Sequence, residues 1–75
     1  MQKVQIYVQL LDEGTPTMRP TEAIVLENGL FKVLPIPDYD PEDEIWEYLP
    51  GSIVKCQEFK NEDGQYLLAV DEANL

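Results

Sequence analysis

Val4-Gln5-Ile6-Tyr7-Val8-Gln9-Leu10 decides the fold. Its apolar side chains return at every second residue, the period at which a strand turns one set to a core and the other to solvent. The same period holds through most of the chain. Asp12-Glu13-Gly14-Thr15-Pro16 supplies turn chemistry after this first strand. Residues 18–27 form a second extended run, in which Pro20 lacks a ladder donor and marks an edge, a bulge or a bend. Asn28-Gly29 between Leu26 and Leu30 predicts a two-residue type I′ hairpin, because both central residues of that turn need positive φ. Residues 22–27 then pair antiparallel with residues 30–34. Ile53–Phe59 and Gln65–Val70 are two more alternating runs, joined by the turn-rich Lys60-Asn61-Glu62-Asp63-Gly64. Residues 71–75 read as a frayed tail.

Between these hairpins lies a connection of a different kind. Pro35, Pro37 and Pro41 interrupt pairing, and six carboxylates (Asp38, Asp40, Glu42, Asp43, Glu44, Glu47) fall within ten residues that contain no base. Asp40-Pro41-Glu42-Asp43-Glu44 has the marks of a helix start, with a capping aspartate, proline at the first position and acids toward the dipole. Pro50-Gly51 limits it to about a single turn. Trp46 and Tyr48 alternate with Glu47 and read as core. Five or six short antiparallel strands and no long helix in 75 residues predict one all-β domain over residues 1–75, a small SH3-like barrel. Closing the sheet also hides the edge of Ile6-Tyr7-Val8-Gln9-Leu10-Leu11, which would otherwise invite aggregation.

Charge excludes whole classes of function. Fifteen acids against five bases, with no histidine, give a net charge of −10 and a pI near 4.1. Nucleic-acid binding needs Lys and Arg against phosphate, and anionic membrane surfaces repel such a chain. No apolar run approaches the ~20 residues of a membrane span. Cys56 is the single cysteine, so neither a disulfide nor a thiolate zinc site is available, and a cytoplasmic setting is expected.

Residues 38–54 resemble the diverging-turn stretch of SH3 domains, where an apolar residue and an aromatic two apart precede a glycine turn and a paired-aliphatic strand. Trp46, Tyr48, Gly51, Ile53 and Val54 hold the matching positions. SH3 domains carry adjacent tryptophans at the start of a later strand, and Gln65-Tyr66 stands here, so proline-rich peptide binding does not transfer. The whole chain also resembles a group of short single-domain bacterial proteins of unassigned function. That likeness rests on Leu10-Leu11-Asp12-Glu13-Gly14-Thr15, Arg19-Pro20, Trp46-Glu47-Tyr48 and Pro50-Gly51-Ser52-Ile53-Val54-Lys55-Cys56. It implies a bacterial origin and no particular activity.

Catalytic chemistry finds little footing. Without histidine there is no Ser-His or Cys-His pair, and Ser52, the single serine, lies in a turn. Cys56 shares its phase with Val54 and reads as a small inward hydrophobe. Asp38 and Asp40 have the spacing of a calcium loop, but its sixth and twelfth positions hold Asp43 and Leu49 in place of glycine and glutamate. Paired carboxylates need a cleft that separates their pKa values, and a small barrel fills its interior. Neither an enzyme, a cofactor nor a metal is expected. Arg19, the lone arginine, has many acids to pair with. The expected function is therefore a small acidic protein-interaction module, with Asp38, Tyr39, Asp40, Glu42, Asp43 and Glu44 facing a basic partner protein of unknown identity and Tyr39 as the apolar anchor. The alternative is a nucleic-acid mimic or toxin-inhibiting, immunity-type protein that works through the same carboxylates.

Overall fold

A computed structural model describes residues 1–73. Six strands follow in order: β1 (Lys3–Leu11), β2 (Met18–Val25), β3 (Leu30–Val33), β4 (Ile45–Trp46), β5 (Ile53–Asn61) and β6 (Gly64–Glu72). Five of them close a ring, β1-β2-β3-β5-β6 and back to β1, and the short β4 pairs with the far end of β1. The fold is a small all-β barrel. Four of the ring pairings are antiparallel and the closing one, β6 on β1 at Tyr7–Leu68, is parallel. This corrects the expectation of antiparallel pairing throughout. In a ring with an odd number of alternating strands, the first and last must run the same way, so a five-strand closure needs one parallel pair.

The β1–β2 register carries out the alternation read from the sequence. Ile6 faces Thr21 and Val4 faces Ala23 on the inside, while Tyr7 faces Pro20 and Gln9 faces Met18 on the outside. Inward residues meet in one core of Ile6, Val8, Ala23, Val33, Val54 and Ala69, all without solvent exposure, and Trp46 joins them at 2% exposure. Thr21, the buried polar residue among them, donates its hydroxyl to the Leu34 carbonyl at 2.6 Å, which offsets the desolvation of its oxygen. Pro20 is tolerated because of phase. The Leu10 N–H donates to the Thr17 carbonyl, so hydrogen-bonded pairs alternate from there and Pro20 falls between two of them. Its missing N–H points to the side of β2 that β3 leaves open, since β3 pairs only with Ala23–Val25.

Three local details depart from the sequence expectation. Asn28 and Gly29 do take positive φ, 64° and 72°, but Val25 faces Phe31, so the loop is three residues, Glu27–Gly29, and not two. The Leu26 N–H closes it on the Leu30 carbonyl at 2.8 Å. The tail is not frayed through residue 73: Asp71 faces Lys55, Glu72 faces Val54, and the Ala73 N–H donates to the Ile53 carbonyl at 2.8 Å. Residues 74 and 75 of that expectation lie outside the described residues. Finally, Lys55 faces Asp71 whereas Cys56 faces Ala69, so Val70 is an extra residue in β6, a bulge that bends the strand toward closure.

Candidate functional site

The acidic connection folds as two linked turns over the end of the barrel that β4 occupies. The Tyr39 N–H donates to the Ile36 carbonyl at 3.1 Å and closes the first. In the second, the Asp40 carbonyl accepts from the N–H groups of Asp43 and Glu44, each at 3.1 Å. The Asp40 carboxylate accepts from the Glu42 N–H at 2.9 Å. This is the single capped turn that Asp40-Pro41 predicts: the aspartate satisfies an orphan donor and proline fills a position that has no donor to lose.

Glu44 ties this turn to the barrel. Its Oε1 accepts from Arg19 Nε at 3.0 Å and from Trp46 Nε1 at 3.1 Å, while Oε2 accepts from the second Arg19 nitrogen. The paired Arg19 hydrogen bonds, then that of the Trp46 indole, hold the Glu44 carboxyl below the usual glutamate range. The same bond to Glu44 raises the Arg19 guanidinium. Tyr39 packs edge-on against Trp46, with ring centroids 4.9 Å apart. One indole thus gathers a carboxylate at its N–H and a T-shaped aromatic neighbour, a combination that lets a nearly buried tryptophan keep a partner.

This arrangement divides the six residues expected to face a partner. Asp38, Glu42 and Asp43 are exposed, and none is ion-paired among the described residues. Asp40 is exposed, with one oxygen committed to the cap. Tyr39 and Glu44 are only partly exposed and turned to structural work, Tyr39 against Trp46 and Glu44 on Arg19. Tyr39, the expected apolar anchor, is half-exposed, with its ring held in the edge-to-face pair with Trp46. No three His, Cys, Asp or Glu side chains come together as a metal cage among the described residues. Cys56 is half-buried against the core, and burial pushes its thiol up to about 11.

Two features of the surface are not among the expected site residues. An open groove of about 320 Å³ runs between the outer side of β2 and the segment after β3, lined by Gln5, Pro20, Thr21, Glu22, Pro35, Ile36 and Pro37. On the outer side of the barrel, Tyr7 meets Tyr66 edge-on at 5.4 Å, and Tyr66 stacks on Phe59 at 5.8 Å. The signal for the second was in the sequence: Tyr7 sits in the outward phase between Gln5 and Gln9, and an aromatic there is not core. The partner rings were not legible, because they reach Tyr7 only through the parallel closure.

Protein-family models, curated proteins and solved structures were all compared with this chain. None matches. The functional reading accordingly rests on the barrel and its surface. Among the described residues no helix is long and apolar enough to cross a membrane.

Proposed function

We propose that this chain is a small, non-catalytic interaction module, working in a bacterial cytoplasm, that presents Asp38, Glu42 and Asp43 to a basic protein surface. The observation that supports it is the division of labour within the acidic connection. Asp40 and Glu44 hold the backbone of the turn, and three neighbouring carboxylates stay in solvent on that braced frame. A braced turn presents charge at fixed positions, so less ordering entropy is lost when a partner binds. Close carboxylates repel one another, and Lys or Arg from a partner relieves that repulsion. Taking the barrel as SH3-like belongs to the same proposal and is supported by Trp46 buried ahead of Gly51, which has φ of 93°.

The test replaces Asp38, Glu42 and Asp43 with Asn, Gln and Asn, leaving Asp40 and Glu44 intact. Wild type and variant are then used to capture proteins from a bacterial lysate at low and at moderate salt. Loss of a salt-sensitive partner in the variant is the expected result. Identical captured sets would mean that these carboxylates only keep the protein in solution. Capture of a nucleic-acid-processing enzyme or a toxin, competed by DNA or RNA, would favour the mimic reading instead.

A further inference from the structure

The outward phase of β1 and its neighbours forms an apolar face that the acidic connection does not touch. Tyr7 lies between Pro20 of β2 and Leu68 of β6. Leu68 points outward with Tyr66 and is not part of the inner core, yet it is only 7% exposed. The rings of Tyr7, Tyr66 and Phe59 therefore build a second, external hydrophobic cluster over it. Further along, Met18 beside Gln9 and Ile45 beside Leu11 extend the same face, with Met18, Leu11 and Ile45 each at least 40% exposed. Contiguous exposed apolar surface of this kind marks an interaction site.

We propose that this face is a self-association surface and that its occupant is a second copy of the chain, related by a two-fold axis. Charge is the first argument. The charged residues on the face or its border are Glu22, Glu47 and Asp71 against Lys3 and Lys55, which leave it one negative charge out of the chain's −10. Two such chains repel everywhere else, and this is the side on which they approach at least cost. Chemistry is the second. An isologous contact sets each residue against the same patch of its partner, so its groups must be self-complementary. Aromatic rings satisfy that condition, and so do the outward amides of Gln5, Gln9 and Gln57, which both donate and accept.

Sedimentation analysis of the full chain from low micromolar to near-millimolar concentration tests this, with ring-proton NMR shifts of Tyr7, Tyr66 and Phe59 followed over the same range. The expected result is a monomer–dimer equilibrium that tightens as salt screens the like charges, with concentration-dependent shifts on those rings. Gln57→Glu, which is isosteric, and Met18→Glu each add two like charges, one per copy, to the buried contact and should weaken dimerisation at least tenfold. A chain that stays monomeric at every concentration and salt overturns the proposal. So does a dimer whose ring shifts are unmoved by concentration, and this readout needs no variant to fold. The salt response is opposite to that of the basic partner proposed above, so the two readings fail separately.

Discussion

Glu44 is the acid in the connection whose pairing the fold depends on most. Its carboxylate takes three hydrogen bonds, from both nitrogens of the Arg19 fork and from the Trp46 indole. Charge-assisted bonds of this kind are the strong ones, but Arg19 is 39% exposed, and solvent screens part of the gain. Glu44→Ala should therefore cost about 1–2 kcal/mol, the low end being the pair alone and the high end including the orphaned indole N–H. Because pairing lowers the folded pKa of Glu44, its contribution is full above the ordinary glutamate value and drains away as pH falls through the folded one. Melting curves of wild type and Glu44→Gln should differ at neutral pH and converge in acid. Trp46 carries more. It is 2% exposed against six aliphatic core residues, and Trp46→Ala should cost about 3–5 kcal/mol, a large share of what so small a domain has. Trp46→Phe keeps the ring against Tyr39 and should lose less than half as much, as measured by denaturant unfolding. Cys56, its thiol raised to about 11 by burial, should label slowly with a thiol reagent at neutral pH and rapidly only on unfolding.

At the scale of elements, the turn after β2 gives a sharp test of backbone chemistry. Asn28 has φ 64° and ψ 27°, the left-handed region in which a Cβ crowds the following carbonyl oxygen. Asparagine tolerates it through local hydrogen bonding, so Asn28→Ala should lose about 1 kcal/mol and Asn28→Gly should be nearly neutral, read from thermal melts. Asn-Gly announced this turn in the sequence, and the alternation in β1 announced which faces are buried. What the sequence did not carry was the register. A three-residue loop and a two-residue one both accept Asn-Gly, and only the pairing of Val25 with Phe31 distinguishes them. The strand alternation of β6 is broken at Val70 by a bulge that leaves no local mark, which is why the strand reads as ending there when it runs on to Glu72. The candidate site was legible as composition and not as geometry. Six carboxylates in ten residues are plain to see. That Glu44 turns to Arg19, 25 residues away, depends on β4 pairing with the end of β1, a contact with no local pattern behind it. The contact of Tyr39 with Trp46 was hidden for the same reason: it forms only once the turn has folded.

The whole molecule carries a net charge of −10 on a particle with a radius of gyration of 12.0 Å. Its surface charges therefore lie within a few Debye lengths of one another at physiological ionic strength, where that length is about 8 Å. Self-repulsion on this scale opposes the compact state, and the cost is concentrated where Asp38, Glu42 and Asp43 stand exposed on one turn. Packing gains nothing from these three, whereas the cap at Asp40 and the tie at Glu44 offset part of the strain of bringing them together. Added neutral salt should accordingly raise the melting temperature of the wild-type chain. Neutralising the three exposed acids should raise it at low salt and flatten the salt dependence, while replacing Glu44 should lower it at every salt concentration. Melts at fixed protein concentration separate this intramolecular effect from dimerisation, which would make the transition concentration-dependent. If neutralising Asp38, Glu42 and Asp43 left both the melting temperature and its salt slope unchanged, the carboxylates would be far enough apart to ignore each other. A cluster that dilute would also be too weak a field to draw a basic partner.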